Sequence, residues 1–180
     1  SNVVVNAQPP ATNAVSVNGA YDISTATYVQ NFSVSSQEIA PSAITFNNDG
    51  TKMYVLGDSG NDVNEYNLST AFDVSTSSYV QNFSVNSQET GPTGLAFNND
   101  GTKMFIIGYT GDDVNEYSLS TAFDISSASY VQNFSVASQE TVPQEITFNN
   151  DGTKMFIIGY IGDDVNEYSL STAFDISSAS

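Results

Sequence analysis

The sequence predicts an all-β protein, on three observations. First, the octapeptide Phe-Asn-Asn-Asp-Gly-Thr-Lys-Met occurs three times at a spacing of 51 residues, at Phe46–Met53, Phe97–Met104 and Phe148–Met155. Second, short runs of β-branched and aromatic residues alternate with Gly, Asn and Asp turn signals. Third, no segment shows the i, i+3, i+4, i+7 apolar spacing of an amphipathic helix. A tandem repeat of this length is typical of folds in which one small sheet is repeated.

The surrounding sequence keeps the same period and predicts the organisation of the chain. The repeats span Tyr21–Ala71, Phe72–Ala122 and Phe123–Ala173, and Phe174–Ser180 begins a further one. Residues 1–20 do not match the repeat and are expected to form an N-terminal arm or linker. The second and third repeats differ at ten of 51 positions, which indicates duplication of a self-contained structural piece.

Each repeat is expected to contain four strands. In the second repeat these are Tyr79–Val85, Leu95–Phe97, Lys103–Gly108 and Val114–Leu119, and Asn98–Gly101 provides a tight turn. The nearly all-apolar third segment suits a strand that is buried on both faces. Four strands in about 50 residues predict the four-stranded antiparallel blade of a β-propeller.

The segment Pro92–Gly108 resembles the YVTN/lactonase-like propeller repeat, in which a Pro and a short apolar strand precede an Asp-Gly turn and a second apolar strand. Similar tandem units occur in surface and phage-associated proteins of marine microbes. The resemblance implies a blade with the Leu95 strand innermost and the Tyr79 strand outermost, although Asn99 stands where that family usually has Pro. It does not imply lactonase chemistry, because propellers host unrelated functions.

Composition excludes several classes of function. Three Lys+Arg against 20 Asp+Glu give a net charge of −17, which repels nucleic acid and anionic membranes. No apolar run approaches the roughly 20 residues of a membrane helix. Without His or Cys, imidazole and thiolate metal ligands and Ser-His or Cys-His catalysis are absent. We therefore expect no catalytic residues and no enzymatic activity.

A ligand-binding face is predicted from the propeller geometry. Loops that leave the outermost strands share one face with the turns between the second and third strands. The candidate binding residues there are Glu38, Glu89, Glu140, Asp62, Asp112, Asp113, Asp163 and Asp164, with Tyr109 and Tyr160 as stacking platforms. Such carboxylates could hold Ca²⁺, bind a glycan or form a solvated acidic rim. No other cofactor is expected.

Three blades are fewer than the roughly four to eight of a closed propeller. Tyr28–Val34 is predicted to be an outermost strand that belongs to a preceding blade, whereas the last repeat lacks one. Tyr28, Val29, Phe32 and Val34 are thus candidate assembly residues that complete the final blade of a second copy. Two copies would make a six-bladed ring by head-to-tail strand exchange. The alternative is that further repeats of a longer chain complete the propeller.

The sequence favours a non-enzymatic propeller module for structure, assembly or recognition, one that associates with itself by strand exchange, located outside the cell, on a cell surface or on a virion. One alternative is a glycan- or receptor-binding propeller that uses the acidic face. A second alternative is a metal-dependent, lactonase-like hydrolase.

Overall fold

The computed structural model describes residues 23–180, which form three antiparallel sheets. Their strands are β1 (Pro41–Phe46), β2 (Lys52–Gly57), β3 (Asp62–Leu68), β4 (Ser77–Ser84), β5 (Pro92–Phe97), β6 (Lys103–Gly108), β7 (Asp113–Leu119), β8 (Ala128–Ser135), β9 (Pro143–Phe148), β10 (Lys154–Gly159) and β11 (Val165–Ser169). In this part of the chain no helix is long and apolar enough to cross a membrane.

The strand order confirms the predicted all-β fold of propeller blades. The first sheet has the order β1-β2-β3-β4 and the second has the order β5-β6-β7-β8. The third sheet has only three strands, β9, β10 and β11, and a single bridge between Leu170 and Ala179 begins a fourth. The structure is therefore a partial β-propeller.

The second strand of each sheet supplies most of the core. Met104, Phe105, Ile106 and Ile107 of β6 are all fully buried, as the uninterrupted apolar run predicts. Alternate side chains of β6 point to opposite faces, so one set packs on the first sheet and the other on the third. The core therefore lies between neighbouring sheets, and each sheet needs a neighbour on both faces.

The repeated Asn-Asp-Gly turn also joins each sheet to the connection that follows it. Gly101 has a φ of 71°, and a Cβ at this position would lie 2.3 Å from the Phe123 ring. The Phe123 N–H donates to the Gly101 carbonyl at 2.9 Å. Asp100 accepts a hydrogen bond from the Thr102 N–H at 3.0 Å, as an Asx turn does. Turn geometry accounts for these residues without a bound cation.

The connection after β7 links two sheets. It contains a short 3₁₀ turn, Ile125–Ser127, that begins at Asp124. The Phe123 carbonyl accepts hydrogen bonds from Tyr54 Oη at 2.6 Å and from Lys52 Nζ at 2.9 Å, both in the first sheet. Each connection therefore fastens its own sheet to the preceding one.

The predicted strand Tyr28–Val34 is wrong for this structure, because no strand lies between residue 25 and Pro41. A strand requires a paired edge, and the described residues contain no sheet before β1. The Phe32 ring nevertheless packs edge-on against Tyr66, with centroids 5.6 Å apart. Residues 23–31 form a separate unit with one 3₁₀ turn, Ile23–Thr25. The predicted arm, residues 1–20, lies outside the described residues.

Candidate functional site

The three candidate glutamates are buried and hold two loops together. Glu89 is 1% exposed. Its Oε1 accepts from the backbone N–H of Gly91 at 2.6 Å and of Thr110 at 3.2 Å, and its Oε2 accepts from the Gly111 N–H at 3.0 Å. The carboxylate thus ties the loop that follows β4 to the β6–β7 turn.

Glu38 and Glu140 make the equivalent contacts in the other two repeats. Glu140 accepts from the N–H groups of Val142 at 2.7 Å and Gly162 at 3.0 Å. Burial raises the pKa of Glu140, but the backbone hydrogen bonds outweigh burial and lower the pKa below its ordinary 4.5. The pKa of Glu38 is lowered by the same balance of burial and backbone hydrogen bonds. The structure therefore places these glutamates inside the loops and not on an acidic rim.

Two of the candidate aspartates are also buried, each between two asparagines. Asp113 accepts from Asn115 Nδ2 at 2.6 Å and from Asn133 Nδ2 at 2.5 Å. Burial raises the pKa of Asp113, and the two amides only partly offset it. Asp62 has the same pair of partners in the first sheet, whereas Asp164 is exposed and accepts from Asn166 at 2.9 Å.

Three of the four remaining candidates lie at the surface. Tyr109 Oη donates to Asp58 Oδ1 at 3.3 Å, and the negative charge of Asp58 raises the pKa of Tyr109. Asp163 and Tyr160 are exposed in the third sheet, and Asp112 is half-buried. Across residues 23–180, no three acidic side chains stand close enough to hold a metal ion. The prediction of a Ca²⁺ or glycan site at these residues stays untested.

A different set of residues meets where the first strands of the three sheets lie side by side. Ser42 Oγ of β1 donates to the Pro92 carbonyl of β5 at 2.9 Å, and Thr93 Oγ1 of β5 donates to the Pro143 carbonyl of β9 at 2.9 Å. The first strands are thus joined in a row, and in a propeller this row lines the central channel.

Glu145 of β9 is the acidic residue of this inner row. Its Oε1 lies 2.9 Å from where a Cβ of Gly94 would be, so a side chain at position 94 would collide with it. The Ile146 N–H donates to Oε1 at 3.0 Å. Although the residue is exposed as a whole, its carboxylate lies against β5, and this loss of water raises the pKa of Glu145 above its ordinary 4.5.

A pocket of about 440 Å³ opens beside this carboxylate. Glu145 is its charged lining residue, and Ser42 adds a hydroxyl. The rest of the wall is apolar, from Phe32, Val34, Pro41, Ala43, Ile44, Met53, Val55 and Val74. An apolar cleft with a few polar groups is the usual form of a small-molecule site.

Sequence reasoning missed Glu145, although the repeats carry a signal for it. The first strand is where the repeats differ most: Glu145 aligns with Ala43 and Gly94, and Gln144 aligns with Ser42 and Thr93. A catalytic site needs several different groups, and near-identical repeats supply different groups only where they diverge. Divergence among the repeats is therefore the sequence signal that indicates Glu145.

Comparison with solved structures identifies the class of protein as a β-propeller. A candidate 6-phosphogluconolactonase from Bacteroides fragilis matches with a TM-score of 0.57 and 14% identity, over 77% of this chain and 36% of that one. The periplasmic gluconolactonase of Pseudomonas aeruginosa matches with a TM-score of 0.55 and 16% identity, over 78% and 37%. A β-propeller domain from Myceliophteria thermophila matches with a TM-score of 0.52 and 12% identity, over 73% and 40%.

The chain spans less than half the length of these structures. No protein-family model and no curated protein matches the sequence. The likeness therefore shows the β-propeller fold.

These findings correct the functional expectation drawn from the sequence. A non-enzymatic structural module was favoured and enzymatic activity was not expected, yet named lactonases stand among the similar structures. A structural role on a virion gains no support from these similar structures.

Proposed function

We propose that this chain is part of a lactone-hydrolysing β-propeller. The observation that carries the proposal is the likeness of its three sheets to the candidate 6-phosphogluconolactonase of Bacteroides fragilis and the periplasmic gluconolactonase of Pseudomonas aeruginosa. Activity in the neighbouring proteins belongs to chains more than twice as long, so the proposal concerns the part of the site that these residues supply.

The pocket beside Glu145 is the place where the substrate would bind. Its volume of about 440 Å³ suits a monosaccharide lactone, which is small enough to leave room for a water molecule. The apolar wall would cover the ring, and Glu145 would face the carbonyl group.

Glu145 would act as the general base. Its carboxylate would take a proton from a water molecule while the water oxygen bonds to the lactone carbonyl carbon. The ring C–O bond then breaks, and the same proton passes to the departing ring oxygen to give a hydroxy acid. A raised pKa makes this carboxylate a better proton acceptor than an ordinary glutamate.

The charge of the chain favours a neutral lactone over a phosphorylated one. The net charge is −17, and each of the three lysines lies within 2.7 Å of a glutamate oxygen. None of these side chains is therefore placed to bind a phosphate, and the surrounding field repels an anion.

The test is the rate of acid release from glucono-1,5-lactone, after subtraction of the spontaneous rate. We expect Glu145→Gln to lower the catalysed rate of acid release at least tenfold, because general bases contribute factors of about 10²–10⁴ to a rate. Asp151→Asn removes a carboxylate from the far turn of the same repeat and serves as the matched control. Wild-type protein that gives no rate above the spontaneous one, or a Glu145→Gln variant as fast as wild type, would contradict the proposal.

A further inference from the structure

A second cavity lies at the other end of the first strands, beside the Asn-Asp-Gly turns. It has a volume of about 240 Å³ and shares no lining residue with the pocket beside Glu145. Its wall comes from β5, from β9 and the turns that follow them, from Thr45 of β1 and from Phe174 of the connection after β11. The cavity is therefore separate from the proposed lactone site.

This cavity lies where one repeat differs from the other two. Ala96 of β5 aligns with Thr45 of β1 and Thr147 of β9, and all three residues line the cavity. An alanine side chain ends at Cβ, whereas threonine adds a hydroxyl and a methyl group. Ala96 therefore leaves space that the threonine of the other repeats would reduce.

Asparagine side chains of the turns are held in a row beside the cavity. Asn48 Nδ2 donates to the Asn99 carbonyl at 2.7 Å, and Asn99 Nδ2 donates to the Asn150 carbonyl at 2.6 Å. A backbone carbonyl can only accept, so the side-chain nitrogen of Asn99 faces Asn150 and its oxygen faces away. Asn99 lines the cavity, and no other residue within 23–180 donates to its side-chain oxygen. That oxygen is an acceptor available to a ligand.

Two threonine hydroxyls of the wall are also available. Thr45 is half-buried and Thr147 is exposed, and neither side chain forms a hydrogen bond with another residue in the described part of the chain. A hydroxyl can both donate and accept, so these groups suit a ligand that itself carries hydroxyls.

Phenylalanine rings form the apolar part of the wall. The half-buried Phe148 ring has its centroid 4.7 Å from that of Phe105 and 5.3 Å from that of Phe174. Phe148 and Phe174 line the cavity, and Phe105 is fully buried in the core. Because two rings pack against Phe148, it offers a fixed apolar surface for the C–H groups of a sugar ring.

The charge and size of the cavity define the class of ligand. None of the described residues that line it is charged, and the net charge of −17 repels anions. A cation would find no carboxylate in this wall. The volume of about 240 Å³ lies below the roughly 300–1,000 Å³ of drug-sized sites, which limits the ligand to one ring.

We propose that this cavity binds one neutral hexopyranose unit. The sugar ring packs on Phe148, and its hydroxyl groups bond to the Asn99 side-chain oxygen and the Thr147 hydroxyl. The sugar is bound without being changed, so this site does not depend on the proposed hydrolysis.

Ligand-observed NMR titration tests the site, with methyl β-D-glucopyranoside, methyl β-D-galactopyranoside and methyl α-D-mannopyranoside as probes. These glycosides contain no lactone, so the result is independent of any lactone hydrolysis. We expect at least one of them to bind wild-type protein saturably, and the anion glucuronate to bind about tenfold more weakly or less. Absence of saturable binding by all three glycosides, or glucuronate binding as tight as theirs, would overturn the proposal.

Ala96→Thr tests whether the sugar lies in this cavity, because it introduces the residue of the first and third repeats. We expect this variant to fold and to bind the glycoside about tenfold more weakly or less, since the added atoms occupy the site. Ser118→Asn introduces the residue of the first repeat at an exposed position of β7 and is the matched control, which should bind as wild type does.

Thr147→Ala makes the opposite exchange at an exposed position, so folding should be unaffected. Loss of one hydrogen bond to the sugar should weaken binding about two- to tenfold. This variant decides the matter if Ala96→Thr does not fold. Binding as tight as that of wild type, in either folded variant, would contradict a sugar site in this cavity.

Discussion

Glutamates in this protein differ in role according to the backbone groups that surround their carboxylates. Glu89 lies fully buried with three backbone N–H donors, whereas Glu145 lies beside a pocket with a raised pKa. The spacing of the glutamates predicted an acidic rim, but spacing does not show that a turn some 20 residues away will donate to the carboxylate. Glu89 is buried because of a tertiary contact with that turn, and a local sequence pattern cannot predict such a contact.

Replacement of Glu89 by Gln tests the role of the buried carboxylate. The amide nitrogen would face a backbone N–H, and one donor would lose its acceptor. We expect the free energy of unfolding to fall by about 1–3 kcal/mol in urea denaturation. Asp58→Asn changes an exposed carboxylate on the same side of the sheets and should remain within about 0.5 kcal/mol of wild type. Equal losses in both variants would show that Glu89 has no special structural role.

At the level of strands and turns, the sequence was most informative. The Asn-Asp-Gly turns, the buried β6 run and the four-strand blade were predicted from local signals, because turn residues and apolar runs act within a few positions. The prediction of a strand at Tyr28–Val34 was wrong, because a strand forms only beside a partner strand. The sequence of this segment is the same whether or not that partner is present.

The turn at Gly101 offers a prediction for the hairpin and its connection. Alanine there would meet both a φ of 71° and the Phe123 ring. We expect Gly101→Ala to lower the free energy of unfolding by about 1–3 kcal/mol, measured by urea denaturation. Ser87→Ala, on an exposed loop of the same repeat, is the control and should have little effect. If the free energy of unfolding of Gly101→Ala equals that of wild type, the turn accommodates alanine without strain.

In the whole molecule, repeated positions form the fold, whereas the candidate site lies at positions that differ between the repeats. Repeated positions build the sheets and the contacts between them, which is why the fold could be predicted from three copies of one octapeptide. The candidate site lies on the first strands, where the repeats differ at Ser42, Gly94 and Glu145. The repeated pattern predicts the fold but gives no information about these divergent positions. On one of these divergent first strands, we propose, Glu145 acts as the base of a lactone hydrolase.

The pH dependence of catalysed glucono-1,5-lactone hydrolysis tests that claim most directly. A general base must be deprotonated, and burial raises the pKa of Glu145 above 4.5. The catalysed rate should therefore fall as the pH drops through an apparent pKa above 4.5, and Glu145→Gln should remove this step. A wild-type profile without the step, or the same step in Glu145→Gln, would contradict the account.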